Sequence, residues 1–200
     1  MKIVIFPLGP YETNCYLIHN DKEAILFDVG GEPSSILDYL KKNALQLTHI
    51  FCTHLHFDHT YGVQALIDAT GAKAFASEKD RFLLGEEEWG APKITFREFT
   101  DLTPGEMTLL GMQCKTLPTP GHTPGGYSFY FPEASVVFVG DSLFYRSIGR
   151  TDFAGGNFDD LIKSIRTQLF TLPEDTAAYP GHGPHTTIGD EKRLNPYTGK

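Results

Sequence analysis

The stretch Thr53-His54-Leu55-His56-Phe57-Asp58-His59-Thr60 places three imidazoles and one carboxylate in six positions, directly after the apolar run His49 to Cys52. Imidazole nitrogen and carboxylate oxygen are the donors that hold zinc and similar divalent ions. In an extended segment residues i and i+2 share a face, so His54 and His56 can converge on one ion. If the chain turns after Phe57, Asp58 and His59 point elsewhere and can reach a second ion. A polar loop that happens to be rich in histidine is the plainer alternative. With eight histidines in 200 residues, three within six positions argue against it.

Four more signals share one placement. Pro120-Gly121-His122-Thr123-Pro124-Gly125-Gly126 puts a histidine between two apolar runs, and Val139-Gly140-Asp141-Ser142 puts an aspartate at the end of one. Pro180-Gly181-His182-Gly183 repeats the Pro-Gly-His pattern, and Leu26-Phe27-Asp28-Val29-Gly30-Gly31 places another aspartate at a run's end. Each candidate thus sits where a strand gives way to a loop, with glycine neighbours that allow a sharp turn.

The elements that must position these residues follow from periodicity and breakers. Strands are expected over Lys2 to Phe6, Thr13 to His19, Glu23 to Asp28, His49 to Thr53, Lys73 to Ala76, Glu106 to Leu110, Gln113 to Leu117, Gly126 to Phe131, Val136 to Gly140 and Ala177 to Tyr179. Asn20-Asp21-Lys22 reads as a hairpin turn. Helical spacing marks Ile36, Leu37 and Leu40 behind Pro33, then Gly62 to Ala69 stopped by Gly71, a short Glu78 to Leu84, and Phe158 to Leu169. Gly85 to Thr103, with Trp89, has the weakest pattern and is expected to be a loop with one strand at Ile94 to Phe99. No linker or repeat divides the chain, so 1–200 is expected to be one domain, with sheets covered by helices.

Composition removes several function classes. Net charge is -8 and the pI is near 5.4, which argues against a nucleic-acid partner. The longest like-charge run is Glu86-Glu87-Glu88. Met1 to Leu8 is too short for a signal-peptide core, and no 18-residue apolar stretch exists, so neither secretion nor a membrane partner is expected. Cys15, Cys52 and Cys114 are odd in number and widely spaced, which points to buried thiols in a reducing cytoplasm.

Taken together, His54-x-His56-x-Asp58-His59 with His122, Asp141 and His182 resembles the metallo-β-lactamase fold superfamily. The flanking Ser147-Ile148-Gly149-Arg150-Thr151-Asp152 and Gly181-His182-Gly183-Pro184 are closer to its glyoxalase II-like hydrolases. The resemblance runs from Asn14-Cys15-Tyr16 to Asn195-Pro196. It implies an α/β fold, a four-layer αβ/βα sandwich with metals in a cleft at one sheet edge. It also implies two divalent ions, zinc first, with iron or manganese as alternatives. One ion falls on His54, His56 and His122, the second on Asp58, His59 and His182, and Asp141 bridges both. Three neutral imidazoles and a carboxylate leave the open position that a catalytic zinc needs. Two ions sharing a hydroxide lower its pKa far below that of bulk water, towards about 7. Asp28 resembles the family's supporting aspartate, and a strand-end cap is compatible with that role.

The implied activity is hydrolysis of a small-molecule thioester of the S-lactoylglutathione kind by a metal-bridging hydroxide. In that reaction Asp58 orients the hydroxide and accepts its proton. Arg150 occupies a place where related thioester hydrolases hold a substrate carboxylate, and a structural salt bridge to Asp141, Asp152 or a chain end is the alternative use of its fork. The chain runs only to Lys200, so the glutathione-binding helical extension of full glyoxalase II is expected to be absent. Asp141 stands where β-lactamases of the first subclass use cysteine, which argues against β-lactam cleavage. The rival of another class is a mononuclear iron persulfide dioxygenase, which resembles this chain through Gly149-Arg150-Thr151-Asp152. Such an enzyme uses two histidines and one aspartate, and His182 within Pro-Gly-His-Gly favours a second metal instead. His19 and His49 are expected to be structural, and His185 either lines the cleft or lies on the surface.

Overall fold

The computed structural model describes residues 1–84, 94 and 96–198. They form two compact units, Met1–Leu102 and Thr103–Lys200.

The first unit is a mixed six-stranded sheet in the order β1 (Lys2–Leu8), β2 (Thr13–His19), β3 (Glu23–Phe27), β4 (Gln46–Phe51), β5 (Lys73–Ala76) and β6 (Thr100–Asp101). The first three strands pair antiparallel and the rest parallel. Asn20 makes the β2–β3 hairpin, its side-chain oxygen accepting from the backbone N–H groups of Lys22 and Glu23, both at 2.8 Å. Parallel neighbours need a crossover, and here helices supply it. Helix α1 (Ser34–Lys42) joins β3 to β4, and α2 (Phe57–Thr60) with α3 (Val63–Thr70) joins β4 to β5. Helix α1 starts from Pro33 and ends at Asn43, while Gly71 in the left-handed region closes α3. Every residue of β2 is buried, so it reads as a continuous rather than alternating run. Cys15, Leu17, Leu26, Ile36, Leu40, Ile50 and Leu66 meet in this unit's core. Burying each Leu or Ile contributes roughly 1.5–3 kcal/mol.

The second unit is a mixed six-stranded sheet built from β7 (Gly105–Leu109), β8 (Met112–Pro118), β9 (Tyr127–Phe131), β10 (Val136–Gly140), β13 (Ala177–Pro180) and β14 (Thr186–Thr187), with the spatial order β14-β13-β10-β9-β8-β7. Between β10 and β13 lies a separate hairpin, β11 (Leu143–Phe144) with β12 (Ser147–Ile148). Strands β10 and β13 are parallel, and α4 (Phe158–Ser164) lies between them in the chain. Asn157 caps α4, its side chain accepting from Asp160 N–H at 3.1 Å. Leu161, Ile165 and Leu169 line up at helical spacing on Val137, Val139 and Ala178. Helix α5 (Ile188–Leu194) completes the unit.

Apart from the strand expected at Ile94 to Phe99, the expected strands are present at nearly the expected bounds. The helix expected over Phe158 to Leu169 widens into a π-helical turn at Ile165–Leu169, where Phe170 N–H donates to Ile165 O at 2.8 Å. The loop expected over Gly85 to Thr103 falls largely on 85–93 and 95, outside the described residues, as do Trp89 and the Glu86 to Glu88 triplet. Of the strand expected at Ile94 to Phe99, residue 95 lies outside the described residues. Residues 94 and 96–99 are irregular, and the pairing begins at Thr100. Among the described residues no helix is long and apolar enough to cross a membrane.

Candidate metal centre

Parallel neighbouring strands end at the same sheet edge, and the two sheets use this in the same way. In the first unit, β3 ends at Asp28 and β4 ends just before Thr53, so residues 25 apart in sequence meet. Asp28 accepts from Thr53 N–H at 2.7 Å and from the Thr53 hydroxyl at 2.8 Å. The same carboxylate accepts from His59 Nδ1 at 2.9 Å. Its backbone sits at φ +55°, a conformation that aspartate tolerates better than most residues.

These contacts set tautomers. A carboxylate only accepts, so His59 Nδ1 carries the proton and Nε2 keeps the lone pair. The Thr53 hydroxyl spends its hydrogen on Asp28 and therefore accepts from His54 Nδ1, 3.0 Å away. His54 Nε2 is then also a lone-pair nitrogen. His54, His56 and His59 are buried, with ring centroids 4.8 Å apart for His54–His56 and 4.1 Å for His54–His59. His56 is extended, and the chain turns into α2 at Phe57. Asp58 Oδ2 accepts from the Thr13 hydroxyl at 3.3 Å and lies 3.7 Å from His59 Nε2. The Asp28 loop braces α2 from behind: Val29 N–H donates to His59 O at 2.7 Å, and a Cβ at Gly30 would stand 2.0 Å from Asp58 O.

In the second unit, β10 and β13 end together, with Gly181 N–H donating to Gly140 O at 2.9 Å. A register shift between Phe138 and Gly140 turns the chain just before Asp141. His182 follows β13, and its Nε2 lies 3.6 Å from Asp141 Oδ2. His122 Nε2 lies 3.6 Å from that same oxygen. The His122 loop between β8 and β9 is tied to α4: the Ser164 hydroxyl donates to Pro120 O at 2.7 Å and Asn157 N–H to Gly121 O at 2.8 Å. His122 Nδ1 donates to the Arg150 carbonyl at 2.6 Å, which again leaves Nε2 as the donor nitrogen. Gly149 is squeezed in: a Cβ there would stand 1.8 Å from Asp141 O and 3.2 Å from His122 Nδ1.

The donor set fits a metal. An imidazole–carboxylate hydrogen bond closes to about 2.7–2.9 Å, whereas Asp58–His59, Asp141–His122 and Asp141–His182 stand at 3.6–3.7 Å. Two ligands about 2.0–2.2 Å from one tetrahedral ion are about 3.4 Å apart. The ligand-type residues are His54, His56, Asp58 and His59 in the first unit and His122, Asp141 and His182 in the second.

The other histidines are structural. His19 is buried between Asn20 O and the Tyr39 hydroxyl, and His49 stacks on Phe51 and Phe75. Burial and then the Lys73 charge hold the His49 imidazole below its ordinary pKa. His185 is exposed and stacks on Tyr179. All three cysteines are buried free thiols, and burial pushes Cys114 up to about 12. The Arg150 fork is engaged by Asp152 at 2.9 and 2.7 Å, both side chains being exposed, and lies over the Phe153 ring at 4.4 Å. Sequence reasoning missed Thr53, Gly149 and the Arg150 carbonyl. Thr53 adjoins His54 and Gly149 adjoins Arg150, while the carbonyl belongs to Arg150, which was singled out for its side chain; that adjacency was the available signal.

The family model described as metallo-beta-lactamase superfamily matches residues 8–182. A Haemophilus influenzae relative, hydroxyacylglutathione hydrolase GloC, is 39% identical over 209 residues, covering 98% of each chain. Among solved structures, BLEG-1 B3 metallo-beta-lactamase superposes with a TM-score of 0.93 at 37% identity, covering 98% of this chain and 99% of that one. TTHA1623 in a di-iron-bound form superposes at 0.88 with 36% identity, covering 97% and 99%. With its two mixed sheets and a His/Asp ligand set at their strand ends, this chain belongs to the metallo-beta-lactamase superfamily of α/β-sandwich proteins and is a metal-dependent hydrolase of that superfamily.

Proposed function

We propose that this chain hydrolyses a small-molecule thioester of the S-lactoylglutathione kind at a binuclear centre. We assign one ion to His54, His56 and His122, the other to Asp58, His59 and His182, and the bridge to Asp141. The observation that carries the bridge is the equal 3.6 Å approach of Asp141 Oδ2 to His122 and His182. The thioester rests on the 39% identity to the GloC relative along its whole length. We read 1–200 as one domain, supported by a family match that spans both units. The buried free thiols suit a reducing cytoplasm.

When bound, two divalent ions supply Lewis-acid polarisation and a water acidified enough to attack at neutral pH. The ligand set suits zinc, and iron equally, which is the metal of the TTHA1623 structure. The chain's own residues do the rest. Asp28, through Thr53 and His59, fixes the tautomers of His54 and His59 so that their Nε2 atoms are free of protons and aimed outward as donors. Asp58, held by Thr13, orients the attacking water and takes its proton. The thiol leaves as a thiolate without strong acid assistance, giving a carboxylate and a free thiol. Arg150 offers its guanidinium to a substrate carboxylate in exchange for Asp152; that exposed pair contributes little stability, so exchange is cheap.

A second reading, β-lactam hydrolysis, is favoured by the 37% identity to BLEG-1. The mononuclear iron dioxygenase is disfavoured because it leaves His182, 3.6 Å from Asp141, without a role. Thiol release from S-lactoylglutathione, assayed beside a chromogenic cephalosporin, separates the first two. Thioester turnover with a slower or absent colour change supports the proposal. Cephalosporin opening without thiol release replaces it with the second reading.

A further inference from the structure

The β11–β12 hairpin and the two residues after it touch all three ligand-type residues of the second unit. Phe144 in β11 meets the His182 ring edge-on, with centroids 6.3 Å apart. Gly149, just past β12, packs on the Asp141 carbonyl, and the Arg150 carbonyl accepts from His122 Nδ1. The hairpin itself buries few side chains and pairs through only two residues on each strand. Such a hairpin is marginal without outside support.

That support comes from α5. Glu191 is fully buried, and its carboxylate takes four hydrogen bonds. Arg146, at the hairpin tip, donates its Nη1 at 2.6 Å and its backbone N–H at 3.0 Å. The Thr186 hydroxyl donates at 2.6 Å and Asn195 Nδ2 at 2.8 Å. Asn195 Nδ2 also donates to Ser147 O at 3.0 Å, so the tip residue Arg146 and the first residue of β12 are both fixed. Arg146 sits at φ +56°, a conformation that a side-chain-bearing residue keeps only when its surroundings over-determine it. A buried carboxylate saturated in this way rigidifies what it holds, because leaving any partner unpaired in that interior is costly.

We propose that Glu191, with Asn195, is a positioning residue of the metal centre: it clamps the hairpin so that His122, Asp141 and His182 are presented together. The inference rests on the reading of those three as metal ligands. Supports behind first ligands typically change metal affinity ten- to a hundred-fold, and Glu191 acts one step further out.

The test is zinc affinity by competition with a chromophoric chelator, with the visible spectrum of the cobalt(II)-substituted protein recorded alongside. Near-ultraviolet circular dichroism checks folding. Glu191→Gln puts an amide N–H where only acceptors fit, and should weaken zinc binding about tenfold and alter the cobalt spectrum. Asn195→Ala, which removes only one brace, should weaken it a few-fold, and it decides the matter if Glu191→Gln does not fold. Arg146→Lys, which keeps the backbone N–H and the charge, should restore most of the affinity lost in Arg146→Ala. Variants that melt earlier yet keep wild-type affinity and spectrum would overturn the clamp alone. Wild-type protein that binds no zinc would overturn the ligand reading and the clamp with it.

Discussion

Asp28 and His59 are 31 positions apart in sequence and joined by a 2.9 Å hydrogen bond from the imidazole Nδ1 to the carboxylate. The oxygen that accepts it also accepts from the Thr53 hydroxyl, which in turn accepts from His54. One carboxylate thus governs the proton positions of two ligand-type histidines. It is held there by a backbone at φ +55°.

Asp28→Asn keeps a residue that tolerates the left-handed region but removes the anion. Metal affinity should fall about ten- to a hundred-fold while the fold survives. Asp28→Ala should fall further in both affinity and melting temperature, because alanine adds backbone strain of about 1–2 kcal/mol. Chelator competition and thermal melting on the two variants read this out. Equal affinity in wild type and Asp28→Asn would show that the carboxylate acts only as a cap.

Gly149→Ala should abolish metal binding at the second unit's ligands, since its Cβ would stand 1.8 Å from Asp141 O. Gly71→Ala is the contrasting case: its φ of +71° disfavours a side chain, but its surroundings are open. That variant should lose only about 1–2 kcal/mol of stability and keep its metals. Metal analysis after gel filtration distinguishes the two. Full metal content in Gly149→Ala would show that the loop can yield.

What could be read from the residues alone was the chemistry and the strands that carry it. His54 to His59, Asp141 and His182 each follow an apolar run, and such runs became β4, β10 and β13. Asp28 could be recognised for the same reason. The supporting layer was hidden because its residues look ordinary in sequence. Glu191 sits in Gly-Asp-Glu-Lys-Arg, a run that reads as a solvated helix face, and only the tertiary fold buries it. The β11–β12 and β14 strands are two residues each, too short for any periodicity. Helix α5 has only Ile188, Gly189 and Glu191 buried, so no apolar stripe marks it. The π turn at Ile165 leaves Leu161, Ile165 and Leu169 at ordinary helical spacing and so had no signature.

Arg150→Ala should raise KM for a carboxylate-bearing thioester about tenfold, the loss expected for a hydrogen bond to a charged group, with kcat little changed. Asp152→Asn releases the fork and should leave KM unchanged or lower it. A KM that rises in Asp152→Asn as much as in Arg150→Ala would make the pair a structural unit and remove Arg150 from substrate binding. Initial-rate kinetics with paired charged and amidated thioesters provide the comparison.

The lowered pKa of His49 carries a pH dependence whose sign can be stated. Burial first, then Lys73, make protonation harder in the folded state, so the unfolded chain binds the extra proton below its ordinary pKa of about 6.5. Stability from this group is complete above that value and declines as pH falls through it. His49→Phe keeps the stack on Phe51 and Phe75 and cannot titrate. In metal-free protein its melting temperature should fall less between about pH 7 and pH 5 than that of the wild type. Parallel curves would mean that His49 titrates alike in both states.

The most direct test of the account is metal content per chain, measured by elemental analysis on wild type, Asp141→Asn and His182→Ala purified without added metal. The account predicts two ions per wild-type chain, at most one in His182→Ala, and loss of at least one together with nearly all hydrolysis in Asp141→Asn. One iron per wild-type chain, unchanged in His182→Ala, would contradict it and move the protein to the mononuclear chemistry of its superfamily.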